Sequence, residues 1–264
     1  DLHANNSVIA VLDEQDKALF EKRLPNELAQ IVGALQPYRS GLVGCVVEST
    51  YNWYWLVDGL MDAGFRVHLA HTGAVPQYAG IKYTNDESDA RHLAHLLRLG
   101  ILPEGYIQPK EHRAVRDLLR RRLLLVRQKT LHHLSLQSLI VRYTGERLSA
   151  NEIKQLDAQS LTAHLEEPVA LGGQVSRLAM HWLDDAISLL EHEVQKYLRP
   201  RPEYQLLTSV PGVGPALGST IALETGDIAR FPGPGHYASY ARCVKTEKIS
   251  NGKRKGRGNG KNGN

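Results

Sequence analysis

Four acidic residues stand at positions from which their carboxylates could share one metal ion. Asp1 opens the first predicted strand, Glu48 ends the apolar run 42–47, and Asp86 and Asp89 lie three residues apart. Residues at i and i+3 share a helix face, and strand ends can meet such a face at one point. Converging carboxylates repel one another unless a divalent cation lies between them, and Mg²⁺ (or Mn²⁺) suits oxygen ligands. Alternatively, Asp86 and Asp89 only complement a helix dipole in its first turn.

A glycine-rich string late in the chain indicates a contact with a phosphate backbone. Pro211-Gly212-Val213-Gly214 resembles the turn of a helix-hairpin-helix, with a new helix beginning near Pro215. Glycine permits positive φ and the close approach of another backbone. The free N–H groups at the start of a helix favour an anion such as a DNA phosphate, and such contacts position DNA without reading its sequence. The alternative is a plain turn between two helices, capped by glycines.

Positive charge is concentrated in two stretches, although the formal net charge is only +4. Residues 244–264 contain seven basic residues, among them Lys253, Arg254 and Lys255, against one acid. Residues 110–129 contain eight basic residues against two acids. Clustered positive charge is typical of a protein with a polyanionic partner. The alternative is a solvated surface helix followed by a disordered tail.

The composition limits the class of protein. With 264 residues, 42% of them hydrophobic, the chain can form one large or two modest domains. Its two cysteines, Cys45 and Cys243, form no C-x-x-C pair and no disulfide framework, which favours a reducing cytosol. No apolar run approaches the roughly 18 residues that a membrane span needs.

The elements that must position these residues change character along the chain. The first hundred residues predict an α/β domain with a mixed sheet, with strands at 7–12, 18–24, 42–47 and 65–70 and helices at 28–35, 53–63 and 86–99. Asn85 is the expected cap of the last helix and Gly100 its stop.

Two long amphipathic helices follow, at 111–142 and 174–198, and they predict an antiparallel coiled-coil-like arm. The spacing predicts a buried stripe on the second helix, formed by Val175, Leu178, Trp182, Ala186 and Leu189. A final module begins near Glu203, after the prolines that end the arm.

Taken together, several strings resemble the DEDD transposases of the insertion-sequence-110/1111 type. They are 1–6 (DLHANN), 47–55 (VESTYNWYW), 82–91 (KYTNDESDAR), 211–214 (PGVG), 224–228 (ETGDI), 230–231 (RF), 250–253 (SNGK) and 261–264 (KNGN). They cover nearly the whole chain in the family's order, so the resemblance is specific.

The resemblance implies a fold and a chemistry. Residues 1–109 would form a RuvC-like, RNase H-type domain with Asp1, Glu48, Asp86 and Asp89 as its Mg²⁺-binding tetrad. Residues 110–200 would form the arm, and residues 201–264 a mainly α transposase domain in which Ser250 attacks DNA. The family implies a noncoding guide RNA, DNA element ends and targets, a homo-oligomer (dimer or tetramer) with sites completed across subunits, and the nucleoid of a prokaryotic cytoplasm. The family's strand before the first aspartate and its helices after the Gly-Asn string are missing, which predicts a truncated and inactive chain.

Two other functions remain open from the sequence. One is a RuvC-like structure-specific nuclease in which water attacks and Ser250 is idle, and the other is a non-catalytic helix-hairpin-helix DNA-binding protein. His92 and His95 could bind metal beside Asp89, but exposed helix histidines are commoner. Ser239 is a rival nucleophile that ranks below Ser250 because it lies in a predicted apolar helix.

Overall fold

The computed structural model of the protein describes residues 1–75, 85–244 and 247–257. Its contacts divide the chain into two units, residues 1–107 with 231–264 and residues 108–230. The two units are compact groups of contacting residues and do not test the three predicted functional domains. The boundaries after residues 109 and 200 therefore stay predictions.

The first unit begins with alternating strands and helices. They are β1 Asn6–Leu12, β2 Ala18–Pro25, α1 Leu28–Leu35, β3 Cys45–Glu48, α2 Tyr54–Asp62, β4 Val67–Ala70, α3 Asp86–Arg98 and β5 Glu104–Gly105. The strands and helices predicted from the apolar patterns of residues 1–107 are thereby confirmed, with ends that shift by a few residues.

The strands do not join into one sheet within the described residues. β1 pairs antiparallel with β2, while β3 runs parallel to β4 and β4 antiparallel to β5. A cavity of about 580 Å³ is lined by residues of β1 and β3, among them Val8, Val11 and Val47. The predicted mixed sheet is present as β3–β5, whereas β1 and β2 form a separate hairpin within the described residues, and the RNase H-type topology stays a prediction.

A turn closes the β1–β2 hairpin. The Asp13 carboxylate accepts hydrogen bonds from the backbone N–H groups of Gln15 and Lys17, both at 2.9 Å. Asp16 has φ 64°, which an aspartate tolerates in a tight turn. The hairpin packs apolar side chains such as Val11 and Leu24 into a core with α1, α2, β3 and β4. This core holds the strand ends and loops that carry the candidate acids.

The second unit is helical. Its elements are α4 Lys110–Thr144, α5 Ala150–Gln155, α6 Ala158–His164, α7 Glu167–Leu198, α8 Pro202–Thr208 and α9 Pro215–Thr225. The two long helices predicted for the arm are present as α4 and α7, which pack against each other. One buried cluster joins α4 to α5, α6 and the start of α7, and a second joins α4 and α7 to α8 and α9.

The buried stripe predicted on α7 is wrong. Leu178 and Trp182 are 72% and 65% exposed, and Val175 and Leu189 are also exposed. The residues that α7 buries lie on another face: Ala170, Gly173, Met180, Leu183, Ile187, Val194 and Leu198. Both faces of α7 carry apolar residues at helical spacing, so the periodicity alone could not tell which one meets α4.

Residues 231–257 add a short helix and a hairpin, where described. α10 spans Pro234–Tyr240, and β6 Glu247–Ser250 pairs antiparallel with β7 Lys253–Arg257. Asn251 and Gly252 have φ 50° and 68°, the left-handed values of the tight turn that an Asn-Gly pair favours. The disordered basic tail is therefore wrong for residues 247–257, because local turn chemistry forms a hairpin. With α8, α9 and α10, the described part of residues 201–264 is still mainly α. No helix in the described part of the chain has the length and apolarity to cross a membrane.

Candidate functional site

Asp1 is fixed beside the start of β1. Its backbone exchanges two hydrogen bonds with Val8, because its amino group donates to the Val8 carbonyl at 3.0 Å and its carbonyl accepts from the Val8 N–H at 2.9 Å. The Asp1 side chain is only 9% exposed. The first predicted carboxylate is therefore held in a largely buried position.

Asp86 and Asp89 lie in the first turn of α3, as the sequence predicts. Asn85 caps the helix, since its side chain accepts from the Ser88 N–H at 2.8 Å and its own N–H donates to Ser88 Oγ at 3.0 Å. Gly100 follows the helix with φ 68°, so the predicted cap and stop are confirmed. The cap fixes the first turn and with it the backbone of both aspartates.

Two side chains that the sequence did not single out contact the acids. His3 Nε2 lies 2.7 Å from Asp1 Oδ2 and 3.3 Å from Asp86 Oδ2. Arg23, on β2, donates to Asp86 Oδ2 at 2.5 Å. The hydrogen bond from Arg23 lowers the pKa of Asp86 most, and His3 lowers it further. Neither residue could be assigned to the site from the sequence, because only folding brings their side chains to the acids from distant positions in the chain.

Glu48 ends β3, at the position that the sequence predicts. Burial raises the pKa of its carboxyl, the neighbouring Asp1 amino group and His3 lower it, and the charge of Asp89 raises it. Burial lowers the pKa of the Asp1 amino group, whereas the charges of Glu48, Asp89 and Asp86 raise it. The four predicted acids therefore lie close enough to influence the same groups.

The residues at this cluster fit a divalent cation. Ligand atoms of Asp1, His3 and Asp86 all lie within 4.8 Å of one another. The His3 Nε2 atom is buried, although the side chain is 37% exposed, and it contacts both carboxylates. Glu48 and Asp89 supply further carboxylates in electrostatic range. An ion would balance the converging negative charge and occupy the buried imidazole nitrogen.

Most cations of the basic stretch 110–129 are used inside the second unit. Arg116 and Arg120 both bind the Glu224 carboxylate, at 2.5 and 2.9 Å. Arg122 pairs with Glu191 at 2.6 Å, Lys129 pairs with Asp184, and Arg113 is buried. The polyanion surface expected from this stretch is therefore much smaller than its charge count indicates, because the cations join α4 to α7 and α9.

The predicted phosphate-contacting turn connects α8 to α9. Gly212 has φ 87°, a conformation that other residues rarely adopt. Gly214 is the residue before α9, with φ −78° and ψ 175°, and a Cβ built on it meets no atom within 4 Å. Nothing in the described chain therefore requires glycine at position 214. Pro211 and Val213 complete the turn.

Ser250 is the last residue of β6, where it is exposed and pairs in register with Lys253 beside the Asn-Gly turn. Lys253, Arg254 and Lys255 follow on β7, where they are exposed, and Arg254 lies 3.5 Å from Glu247. The acidic cluster described above includes no residue of this hairpin. Ser239, the rival nucleophile, is exposed on α10.

The histidines of α3 do not join the described metal-compatible group. His95 Nδ1 lies 2.7 Å from Asp16 Oδ2, which also binds Arg98. His92 is not a member of the group either. The hypothesis that these two residues bind a metal beside Asp89 therefore gains no support.

Comparisons with known proteins match both parts of the chain. A family model for the DEDD domain of IS110-type elements, described as "Transposase", matches residues 1–144. A second, described as "Transposase IS116/IS110/IS902 family", matches residues 204–264.

Three curated relatives have similar sequences. A "Probable family 20 transposase" of Pseudomonas aeruginosa is 24% identical over 76% of this chain and 61% of its own length. A "Putative transposase y4qE" of Sinorhizobium fredii is 25% identical over 75% of this chain and 48% of its own length. An "Insertion element IS110 uncharacterized 43.6 kDa protein" of Streptomyces coelicolor is 38% identical over 23% of this chain and 15% of its own length. The chain thus spans about half to three-fifths of the first two relatives.

Proposed function

This chain belongs to the IS110 family of transposases, and on that premise we propose that it cleaves and rejoins DNA strands at a metal-dependent acidic site. The observation that carries the proposal is that ligand atoms of Asp1, His3 and Asp86 lie within 4.8 Å of one another, with Glu48 and Asp89 in electrostatic range of the same groups. In this proposal the four carboxylates hold Mg²⁺ or Mn²⁺. When bound, the metal would stabilise charge on the attacking and leaving oxygens of phosphoryl transfer.

Ser250 is the proposed nucleophile. Its hydroxyl oxygen would attack a DNA phosphorus and form a serine–phosphate ester, the bond to the leaving strand oxygen would break, and the serine proton would pass to that oxygen. A serine hydroxyl is a weak nucleophile and requires activation. Its exposed place in a hairpin with Lys253, Arg254 and Lys255 supports access to a DNA phosphate.

The α8–α9 turn is the proposed contact with the phosphate backbone of DNA. Because no atom of the described chain fills the space where a Gly214 Cβ would lie, the missing side chain leaves room for an outside group. The first N–H groups of α9 have no side-chain cap, and helix N-termini favour phosphate. These features support a contact with DNA through its phosphates, in addition to the basic residues of β7.

We also propose that the protein forms a homo-oligomer through the arm. Leu171, Val175, Leu178, Trp182 and Leu189 are exposed at alternating steps of three and four residues, with a gap at Asp185, as in a coiled-coil seam. On α4 the exposed Leu124, Leu131, Leu134 and Val141 lie seven, three and seven residues apart, which fits the same seven-residue repeat with gaps. Leu131 and Trp182 line one groove, so the two stripes meet on one face of the helix pair.

A second copy fits this face better than a polar partner does. The stripe is apolar along several helical turns, and exposed apolar patches mark protein interfaces. Two copies of a helix pair with such a seam can form a four-helix bundle. Such an assembly would allow the acids of one copy and Ser250 of another to form one site. The proposal that the protein binds a guide RNA rests on the family resemblance alone.

The test of the enzymatic proposal uses two matched pairs of variants. Its baseline is strand cleavage by the unaltered chain, which would overturn the inactivity that the missing family segments predict. Asp89→Asn should abolish Mg²⁺-dependent strand cleavage, while Glu87→Gln, an exposed acid of the same helical turn, should retain it. Ser250→Ala should lose the covalent protein–DNA adduct seen on denaturing gels, while Ser239→Ala should keep it. Both losses should occur with DNA binding nearly intact.

Other outcomes separate the remaining functions. Cleavage that needs Asp89 but forms no adduct in any variant would indicate a hydrolytic nuclease. DNA binding without cleavage, indifferent to Mg²⁺ and to the acids, would indicate a non-catalytic DNA-binding protein. Salt dependence does not discriminate, since every one of these functions neutralises phosphates.

A further inference from the structure

His3 stands at the centre of the acidic cluster. Its Nε2 lies between Asp1 Oδ2, at 2.7 Å, and Asp86 Oδ2, at 3.3 Å. The ligand atoms of the three residues fall within 4.8 Å of one another. The imidazole is therefore placed where a ligand of the same ion would lie.

A single hydrogen bond does not account for this placement. The Nε2 atom is buried, although the His3 side chain is 37% exposed, and it contacts both carboxylates at once. Asp86 Oδ2 already accepts a hydrogen bond from Arg23 at 2.5 Å. One N–H on Nε2 cannot satisfy both carboxylates, whereas a divalent cation can contact the imidazole nitrogen and both acids.

The backbone of His3 is held on two sides. The amide of Asn26 donates to the His3 carbonyl at 2.9 Å, and the amide of Asn52 donates to the same oxygen at 2.9 Å. The His3 N–H donates to the Asn6 carbonyl at 2.9 Å. Asn26 follows β2, and Asn52 lies in the string after Glu48, so separate parts of the unit fix this loop. The backbone that carries the imidazole is thus fixed, which favours a pre-positioned ligand.

We propose that His3 is a nitrogen ligand of the metal ion bound by Asp1 and Asp86. This inference rests on the metal site of the proposed function and adds a residue outside the acidic tetrad. Imidazole nitrogen suits first-row transition metals, whereas Mg²⁺ prefers oxygen ligands. A mixed set of one nitrogen and several carboxylates therefore favours Mn²⁺ over Mg²⁺.

The direct test is the nitrogen coupling of bound Mn²⁺. Mn²⁺ is titrated into the purified protein, binding is followed by electron paramagnetic resonance, and electron spin-echo modulation detects a directly coordinated nitrogen. We expect nitrogen coupling in the wild type and in His95→Gln, a control at a histidine that pairs with Asp16. His3→Gln should lose the coupling and bind Mn²⁺ at least about tenfold more weakly, while its Mg²⁺ affinity, measured by competition, should change less.

The outcomes distinguish this inference from the proposal on which it rests. Mn²⁺ that binds the wild type without nitrogen coupling would overturn the role of His3 and leave the carboxylate site standing. Coupling that persists in His3→Gln would also overturn it. A wild type that binds no Mn²⁺ would remove the metal site altogether. The wild-type spectrum decides even if His3→Gln fails to fold.

Discussion

The exposed stripe of the arm gives a quantitative test of self-association through Trp182. Trp182 is 65% exposed, and a tryptophan presents up to about 250 Å² of surface, so roughly 160 Å² remains in water. At about 25 cal/mol per Å², burying this area would contribute about 4 kcal/mol per copy before the costs of association. Trp182→Glu removes that contribution and places a carboxylate in an apolar interface, where it must lose its hydration.

We expect the dissociation constant of the oligomer to rise at least about 100-fold, which corresponds to about 2.7 kcal/mol. The assay is sedimentation equilibrium over a range of protein concentrations. Ser188→Glu adds the same charge at an exposed residue of α7 outside the stripe and should leave the constant nearly unchanged. An unaltered constant in Trp182→Glu, or a wild type that stays monomeric at tens of micromolar, would refute the reasoning.

Three further predictions concern the second unit. Gly214→Ser should keep the thermal midpoint, since serine is a good N-cap and its Cβ meets no atom. It should lower DNA affinity several-fold in a filter-binding or anisotropy assay, and unchanged affinity would contradict the proposed contact with the DNA backbone. Glu224→Gln should lower the free energy of unfolding, measured with urea, by about 3 kcal/mol, because it leaves the 15% exposed Arg116 guanidinium without its anion. A decrease of less than about 1 kcal/mol would show that the ion pair is dispensable for stability. Burial lowers the pKa of His112, whose Nε2 lies 3.2 Å from the Leu223 carbonyl. The unfolded chain therefore binds more protons between that lowered pKa and about 6.5, and stability should fall as pH drops through this range. The thermal midpoints of the wild type and His112→Gln at about pH 5.5 and 7.5 check this, and equal pH dependence in both would exclude His112 as the source.

The residues that form the acidic site divide into a predictable and an unpredictable group. Asp86 and Asp89 were predictable because an asparagine cap, an i, i+3 spacing and a glycine stop are all local to α3. Glu48 was predictable because an apolar run ends at it. His3 and Arg23 were not, since their contacts with Asp86 join positions that only the folded hairpin brings together.

The sequence alone determined the elements whose chemistry is short-range: the capped helix α3, the two long arm helices and the glycine turn before α9. Hydrogen bonds and dihedral preferences within a few residues decide these features, so they can be inferred from neighbours in the chain. Tertiary structure decided which apolar face of α7 meets α4, which arginines of α4 are neutralised, and that β1 and β3 lie in separate sheets. Each of these depends on the position of a distant partner, because burial and ion pairing are properties of two surfaces and not of one.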